Sequence, residues 1–231
     1  MENFSLEDLD PDQRVAATAP RGPVCILAGA GTGKTRTITY RIAHLINTGA
    51  VSPQRVLAVT FTKRAAGEMR DRLAHMGIPR VQARTFHSAA MRQLSYFWPR
   101  FAGDLQYKLV DKRLPLVAQA ARSCGVSTDT ETLRDLTGEI EWAKATLISP
   151  DNYPEQVETF HRTPPVSGKE VGQVYAAYEE LKYRHGMVLL DFDDVINQLA
   201  TGLEKVQGVA DEFRQQYRTF VIDEYQDVTP A

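Results

Sequence analysis

Two short segments carry residues that could hold a triphosphate and its metal. In Ala28-Gly29-Ala30-Gly31-Thr32-Gly33-Lys34-Thr35 the glycines allow backbone N–H groups to converge on phosphate oxygens. A helix starting there adds partial positive charge. Lys34 then reaches the β- and γ-phosphates, and the Thr35 hydroxyl faces Mg²⁺. The usual pattern begins with Gly, whereas Ala28 holds that place here. A phosphate cradle alone hydrolyses nothing; it needs a strand that delivers carboxylates. Phe220-Val221-Ile222-Asp223-Glu224 supplies three apolar residues that predict a buried strand, followed by two acids at its C-terminal edge. Ligands of open α/β sheets bind at that edge. Asp223 is expected to hold the metal, and Glu224 to orient and deprotonate the attacking water. These two segments by themselves fit a P-loop ATPase or nucleotide kinase with no nucleic-acid role, or a binding module without turnover.

The elements that must position them follow from hydrophobic periodicity. Pro23 to Ala28 predicts a buried strand ahead of the loop, and Ile38, Ile42, Leu45 and Ile46 share one helical face after it, before Gly49. Val56-Leu57-Ala58-Val59 predicts a second strand. A helix with Ala66, Met69 and Leu73 in register follows, ending near Gly77, and Val81 to Arg84 predicts a third strand. Strands separated by helices imply a parallel α/β sheet.

From Asp104 to Gly186 the pattern is mostly helical. Leu114, Val117, Ala118 and Ala121 lie on one face, and Val171, Val174, Tyr178 and Leu181 on another, with Pro150, Pro154 and Pro164-Pro165 dividing the helices. This stretch reads as an insertion. Further on, a helix containing Val206, Val209 and Phe213 leads into the strand Thr219 to Ile222.

Composition narrows the class. At 43% hydrophobic and 24% charged the chain is globular. No stretch approaches the ~18 apolar residues of a membrane span, and Met1 to Asp10 is acidic, unlike a signal peptide, which points to the cytoplasm. Cys25 and Cys124 have no partners at disulfide-framework or zinc spacing. Charge is unevenly distributed: Gln13 to Gly103 holds 14 Lys and Arg against two acids, whereas the chain from Asp104 on holds 13 against 22. A cationic front segment suits a protein that gathers phosphates, although ordinary surface charge can also average out in three dimensions.

Taken together these motifs resemble superfamily 1 helicases of the UvrD/Rep/PcrA group. Ala28 to Thr35 matches that family's A-x-x-G-x-G-K-T first motif, leading Ala included, and Asp223-Glu224-Tyr225-Gln226-Asp227 matches its D-E-x-Q-D second motif. Leu9-Asp10-Pro11-Asp12-Gln13 resembles the family's L-N-x-x-Q entry. That resemblance implies that Gln13 reads adenine with Arg36 beside the base, and that Gln226 joins Lys34, Asp223 and Glu224 in the catalytic set. Thr60-Phe61-Thr62-Lys63-Arg64-Ala65-Ala66 resembles T-F-T-N-K-A-A, and Thr85-Phe86-His87-Ser88 the next motif, both associated with single-stranded DNA. Lys63 stands where the family has Asn, so a contact made by that amide is not carried over.

An aromatic such as Phe61 can stack on any base while Lys63 and Arg64 meet the backbone, which suits sequence-tolerant binding. Taken singly, Phe61 and Phe86 read as core aromatics and His87 as a satisfied polar residue; the shared motif order is what assigns Phe61, Thr62, Lys63, Arg64, Thr85 and His87 to DNA. Asp191-Phe192-Asp193-Asp194 also resembles a family element, and an Asp191 helix cap accounts for it.

The resemblance implies a RecA-like P-loop parallel sheet interrupted by a mostly α-helical subdomain. The implied limits are 1–103 for the first part of the ATP-binding domain, 104–188 for the insertion and 189–231 for the continuation. It further implies ATP and Mg²⁺ as cofactors, single-stranded and duplex DNA as partners, 3' to 5' polarity, and a role in DNA repair or replication. The family's γ-phosphate-sensing glutamine, arginine fingers and second motor domain are not in these residues, so the chain is expected to be the front part of a motor. In that fold the strand between the P-loop strand and the Asp223 strand comes from later sequence, and its lack is expected to leave a gap in the sheet.

Overall fold

The computed structural model describes residues 5–230. These form two compact units, one running to Ala89 and resuming over Gln207–Asp227, the other comprising Ala90–Val206 with the residues from Val228 on.

The first unit opens with α1 (Pro11–Thr18), whose N-cap Asp10 and third residue Gln13 form a capping box. Next comes α2 (Lys34–Asn47), which buries Ile38, Ile42 and Leu45 as its periodicity predicts and stops before Gly49, at φ 73°. Strand β1 (Val56–Thr60) is buried along its whole length. After it α3 (Lys63–His75) buries Ala66, Met69 and Leu73, and β2 (Gln82–Thr85) leads directly into α4 (Phe86–Ala102), which crosses from the first unit into the second. One face of β1 packs Val56 and Ala58 against Ile42, Met69 and Leu73, while the other packs Leu57 and Val59 against Ala89 and Tyr217. Burial of each such Leu, Ile or Met contributes about 1.5–3 kcal/mol, which makes β1 the fixed reference of this unit.

The second unit holds β3 (Gln106–Leu109), α5 (Leu114–Ser123), α6 (Thr130–Ala145), α7 (Tyr153–Thr159), α8 (Gly168–Leu181), β4 (Tyr183–Arg184), β5 (Met187–Leu190) and α9 (Phe192–Lys205). It is mostly helical, with a small sheet in the order β3-β5-β4 that the periodicity does not announce. In α5 the buried face is Leu116, Val117, Ala120 and Ala121, one step around from the expected set, leaving Leu114 exposed. Asp191 caps α9 in a capping box with Asp194, as expected.

Around that cap lies a buried ionic network. Lys144 Nζ is 2.8 Å from Glu179 and 3.1 Å from Asp191, Lys182 Nζ is 2.7 Å from Asp194, and Tyr178 donates to Asp191 at 2.7 Å. Glu179, Asp191 and Asp194 crowd together like cation ligands, but the ammonium groups of Lys144 and Lys182 and the guanidinium of Arg113 already pair with them. Burial pushes the Asp191 carboxyl up, yet Lys144, Lys182 and Arg113 outweigh it and hold it well below the usual carboxylate range. Its stabilising contribution is therefore present above an ordinary Asp pKa of about 3.9 and lost as the pH falls through and below it. The urea midpoint should drop on acidification, with a shallower acid limb in Asp191→Asn; an unchanged limb in that variant would contradict the assignment.

The chain returns to the first unit through α10 (Val209–Gln216) and β6 (Thr219–Ile222). The expected single helix through Val206, Val209 and Phe213 is two helices, because Val206 caps α9 and Gly208 at φ 77° breaks the run. The first unit's sheet is parallel, in the order β2-β1-β6, with Thr60 opposite Thr85 and Val59 opposite Ile222.

Two strand expectations need correction. Pro23 to Ala28 is not a strand: it runs exposed, with Leu27 91% accessible. A parallel strand exists only through ladder bonds to a neighbour, and no described strand lies beside this segment to supply them. Likewise β6 is not buried on both faces, since Phe220 and Ile222 are 48% and 37% exposed; among the described residues it is an edge strand, paired with β1 alone.

Candidate functional site

The C-terminal ends of the three parallel strands carry three of the sequence motifs. Past β1 come Phe61, Thr62 and Lys63, past β2 come Phe86 and His87, and past β6 come Asp223 and Glu224. Parallel pairing puts all three at one edge of the sheet, where side chains of different loops converge.

The Gly-rich loop reaches the same edge from α2. Gly31 and Gly33 have φ values of 75° and 84°, a left-handed backbone that other residues adopt only under strain. Gly33 is the N-cap of α2, so Lys34 and Thr35 form its first turn. Lys34 Nζ lies 3.4 Å from Glu224 Oε2 although the two residues are 190 positions apart. That contact brings the lysine loop and the acidic pair into one site.

Asp223 is buried at the end of β6, its N–H donating to the Val59 carbonyl at 2.9 Å. Burial, then the Glu224 charge, push its carboxyl above the ordinary value. Glu224 differs in every respect. It is exposed enough to meet solvent, accepts from Gln226 Nε2 and Lys34, and is held below the ordinary value by those two partners. Its backbone is left-handed, at φ 53°. Two adjacent carboxyls pushed in opposite directions are suited to different tasks. Thr35 and Asp223 offer a hydroxyl and a carboxylate, the hard oxygen donors that suit Mg²⁺.

From α1, Gln13 Nε2 donates to the Thr32 carbonyl at 2.9 Å and a Cβ on Gly33 would lie 2.9 Å from that same nitrogen, so the amide rests on the loop. Arg36 donates to the Asp8 carbonyl at 2.6 Å and lies over the Tyr40 ring. Ala28, Gly29 and Ala30 are exposed, and Thr32 folds back on the Gly29 carbonyl.

On the neighbouring loops, Phe61 is 43% exposed and its ring lies 5.1 Å from that of Phe86. Thr62 caps α3 by accepting from Ala65 N–H, Lys63 is exposed, and Arg64 is engaged with Glu68 at 2.9 Å. Thr85 exchanges hydrogen bonds with Ser88, and His87 is half-buried. Sequence reasoning missed Asp8 and Tyr40, whose hydrogen bond joins residues 32 positions apart and leaves no local pattern. It also missed Arg41, whose only signal is a charge inside the apolar face of α2.

The model of the UvrD/REP helicase N-terminal domain matches residues 9–231. The chain belongs to this family. It is 53% identical over 234 residues to the ATP-dependent DNA helicase UvrD2 of Mycobacterium tuberculosis, covering 97% of this chain and 33% of that protein. Against the ATP-dependent DNA helicase PcrA of Staphylococcus epidermidis the identity is 30%, covering 99% and 31%, and against that of Leuconostoc citreum 33%, covering 95% and 29%. This UvrD/REP domain thus spans about a third of the length of those relatives. No helix among its described residues is long and apolar enough to cross a membrane.

Proposed function

We propose that this chain is the ATP-binding front part of a DNA helicase, which couples ATP hydrolysis to movement along single-stranded DNA and to duplex unwinding. The observation that carries the reading is the meeting of Lys34 with Glu224 at the strand edge that also bears Phe61 and His87. The relatives' names, each an ATP-dependent DNA helicase, agree with it. Translocation 3' to 5', action in the cytoplasm, and a role in DNA repair or replication belong to the same proposal.

In this mechanism the backbone from Gly29 to Gly33 and the start of α2 receive the phosphates, with Lys34 on the β- and γ-phosphates. Thr35 and Asp223 hold Mg²⁺, which when bound neutralises charge on the transferring group. Glu224, ionised at neutral pH, orients the attacking water and accepts its proton, while Gln226 keeps the carboxylate aimed. Gln13 and Arg36 engage the adenine. Phe61 stacks on a base, with Thr62, Lys63, Arg64, Thr85 and His87 along the strand's backbone. The relatives are about three times as long, and we infer that these 231 residues alone do not unwind duplex DNA, since transition-state arginines come from elsewhere.

The deciding experiment compares ATPase rates of the full-length protein with and without single-stranded DNA. Strong stimulation is expected; a rate indifferent to DNA would leave a plain P-loop ATPase. In Phe61→Ala the DNA concentration giving half-maximal stimulation should rise roughly tenfold, the worth of one stacked base. An unchanged value would remove Phe61 from the DNA path.

A further inference from the structure

Arg41 is an anomaly in the first unit. It lies among Ile38, Ile42 and Leu45 on the buried face of α2, only 9% exposed, and no carboxylate pairs with it among the described residues. Its guanidinium donates instead to three backbone carbonyls: Ala16 at 3.3 Å, Ala19 at 2.8 Å and Pro20 at 3.1 Å. These belong to the last turn of α1 and the residues just beyond it, where helix carbonyls lack intrahelical partners and the dipole favours a cation.

The other end of α1 carries Gln13, whose amide rests on the phosphate loop at Thr32 and Gly33. Arg41 lies seven residues after Lys34, on the same side of α2 and about 10 Å along its axis. One helix therefore grips the phosphate loop at its first residue and the Gln13 helix two turns later. Gln13 Oε1 accepts from Asp10 N–H and Nε2 donates to Thr32, which leaves one acceptor lone pair and one donor for a base edge.

We propose that Arg41 is a positioning residue for base selection: by clamping the end of α1 onto α2, it sets Gln13 at a fixed distance from the phosphate loop. The clamp makes the distance between the base-reading amide and the phosphate site a property of α2. This inference rests on the reading of Gln13 as the adenine contact. Arg41 touches neither phosphate nor base, so its loss acts on selectivity and spares attraction for the triphosphate.

The test measures dissociation constants of ATP, UTP and inorganic tripolyphosphate, each with magnesium, in the full-length protein and in Gln13→Ala, Arg41→Met and Arg41→Lys. The preference for ATP over UTP should collapse in Gln13→Ala. In Arg41→Met it should fall about tenfold, as expected for losing several charge-assisted bonds, with tripolyphosphate affinity held within about twofold. Arg41→Lys, a compact donor unable to span three carbonyls, should fall between. The UTP-to-ATP ratio is insensitive to partial unfolding, which scales both constants alike. If Arg41→Met does not fold, Arg41→Lys decides alone. A collapsed preference in Gln13→Ala with the parental ratio in the Arg41 variants overturns the clamp and leaves the Gln13 reading intact. Parental preference in Gln13→Ala overturns that reading and the clamp with it. Equal weakening of ATP, UTP and tripolyphosphate in the Arg41 variants reduces Arg41 to scaffolding.

Discussion

Glu224→Gln should lower the maximal ATPase rate of the full-length protein by about 10²–10⁴-fold, the range expected for losing a general base, while leaving nucleotide affinity nearly unchanged. The substitution preserves shape and hydrogen-bonding reach, and it removes the ability to take a proton. Gln226 and Lys34 hold the Glu224 carboxyl below its ordinary value, so at neutral pH it is an ionised acceptor. A second variant separates chemistry from folding. Glu224 adopts φ 53°, a backbone region in which non-glycine residues are strained by about 1–3 kcal/mol. Its side chain is 39% exposed, so the pair with Lys34 adds little stability. Glu224→Gly should therefore raise the denaturant midpoint while abolishing turnover, the opposite signs marking a residue kept for function. Turnover at the parental rate in Glu224→Gln would remove this residue as the base.

The elements that sequence reading located well are those whose partners are also in the chain. In α2, α3 and β1 the apolar period predicts the buried face because Ile42, Met69, Leu73 and Val56 meet one another. Pro23 to Ala28 as a strand, and the burial of β6 though not its existence or limits, were misjudged for the converse reason: an apolar run records the intention to be covered, and the cover is not among the described residues. The strand β3 escaped notice because Gln106-Tyr107-Lys108-Leu109 is short and largely polar, and gains its identity only by pairing with β5. In the candidate site, residue types and spacing announced Lys34, Thr35, Asp223 and Glu224. What they could not announce were partners that are backbone atoms. The Thr32 carbonyl that receives Gln13, the three carbonyls that receive Arg41 and the left-handed backbone of Glu224 leave no residue-type signature.

Lys34→Ala should weaken ATP binding by about a hundredfold or more, because a charge-assisted contact to phosphate in a sheltered site is among the strongest single interactions a side chain makes. Instability cannot account for such a loss. Lys34 is 28% exposed and its described ion pair, with Glu224, spans 3.4 Å, a geometry that contributes at most about 1 kcal/mol to folding. The melting temperature of the variant should accordingly stay close to the parent's. The pair also predicts how the two substitutions combine. If Lys34 serves the phosphates and Glu224 the water, the double variant should bind ATP as weakly as Lys34→Ala alone, with no further loss from Glu224→Gln. Equilibrium titration with a fluorescent ATP analogue measures all three proteins. Parental affinity in Lys34→Ala would mean that the loop from Ala28 to Thr35 does not hold the triphosphate, and the motor reading would fall with it.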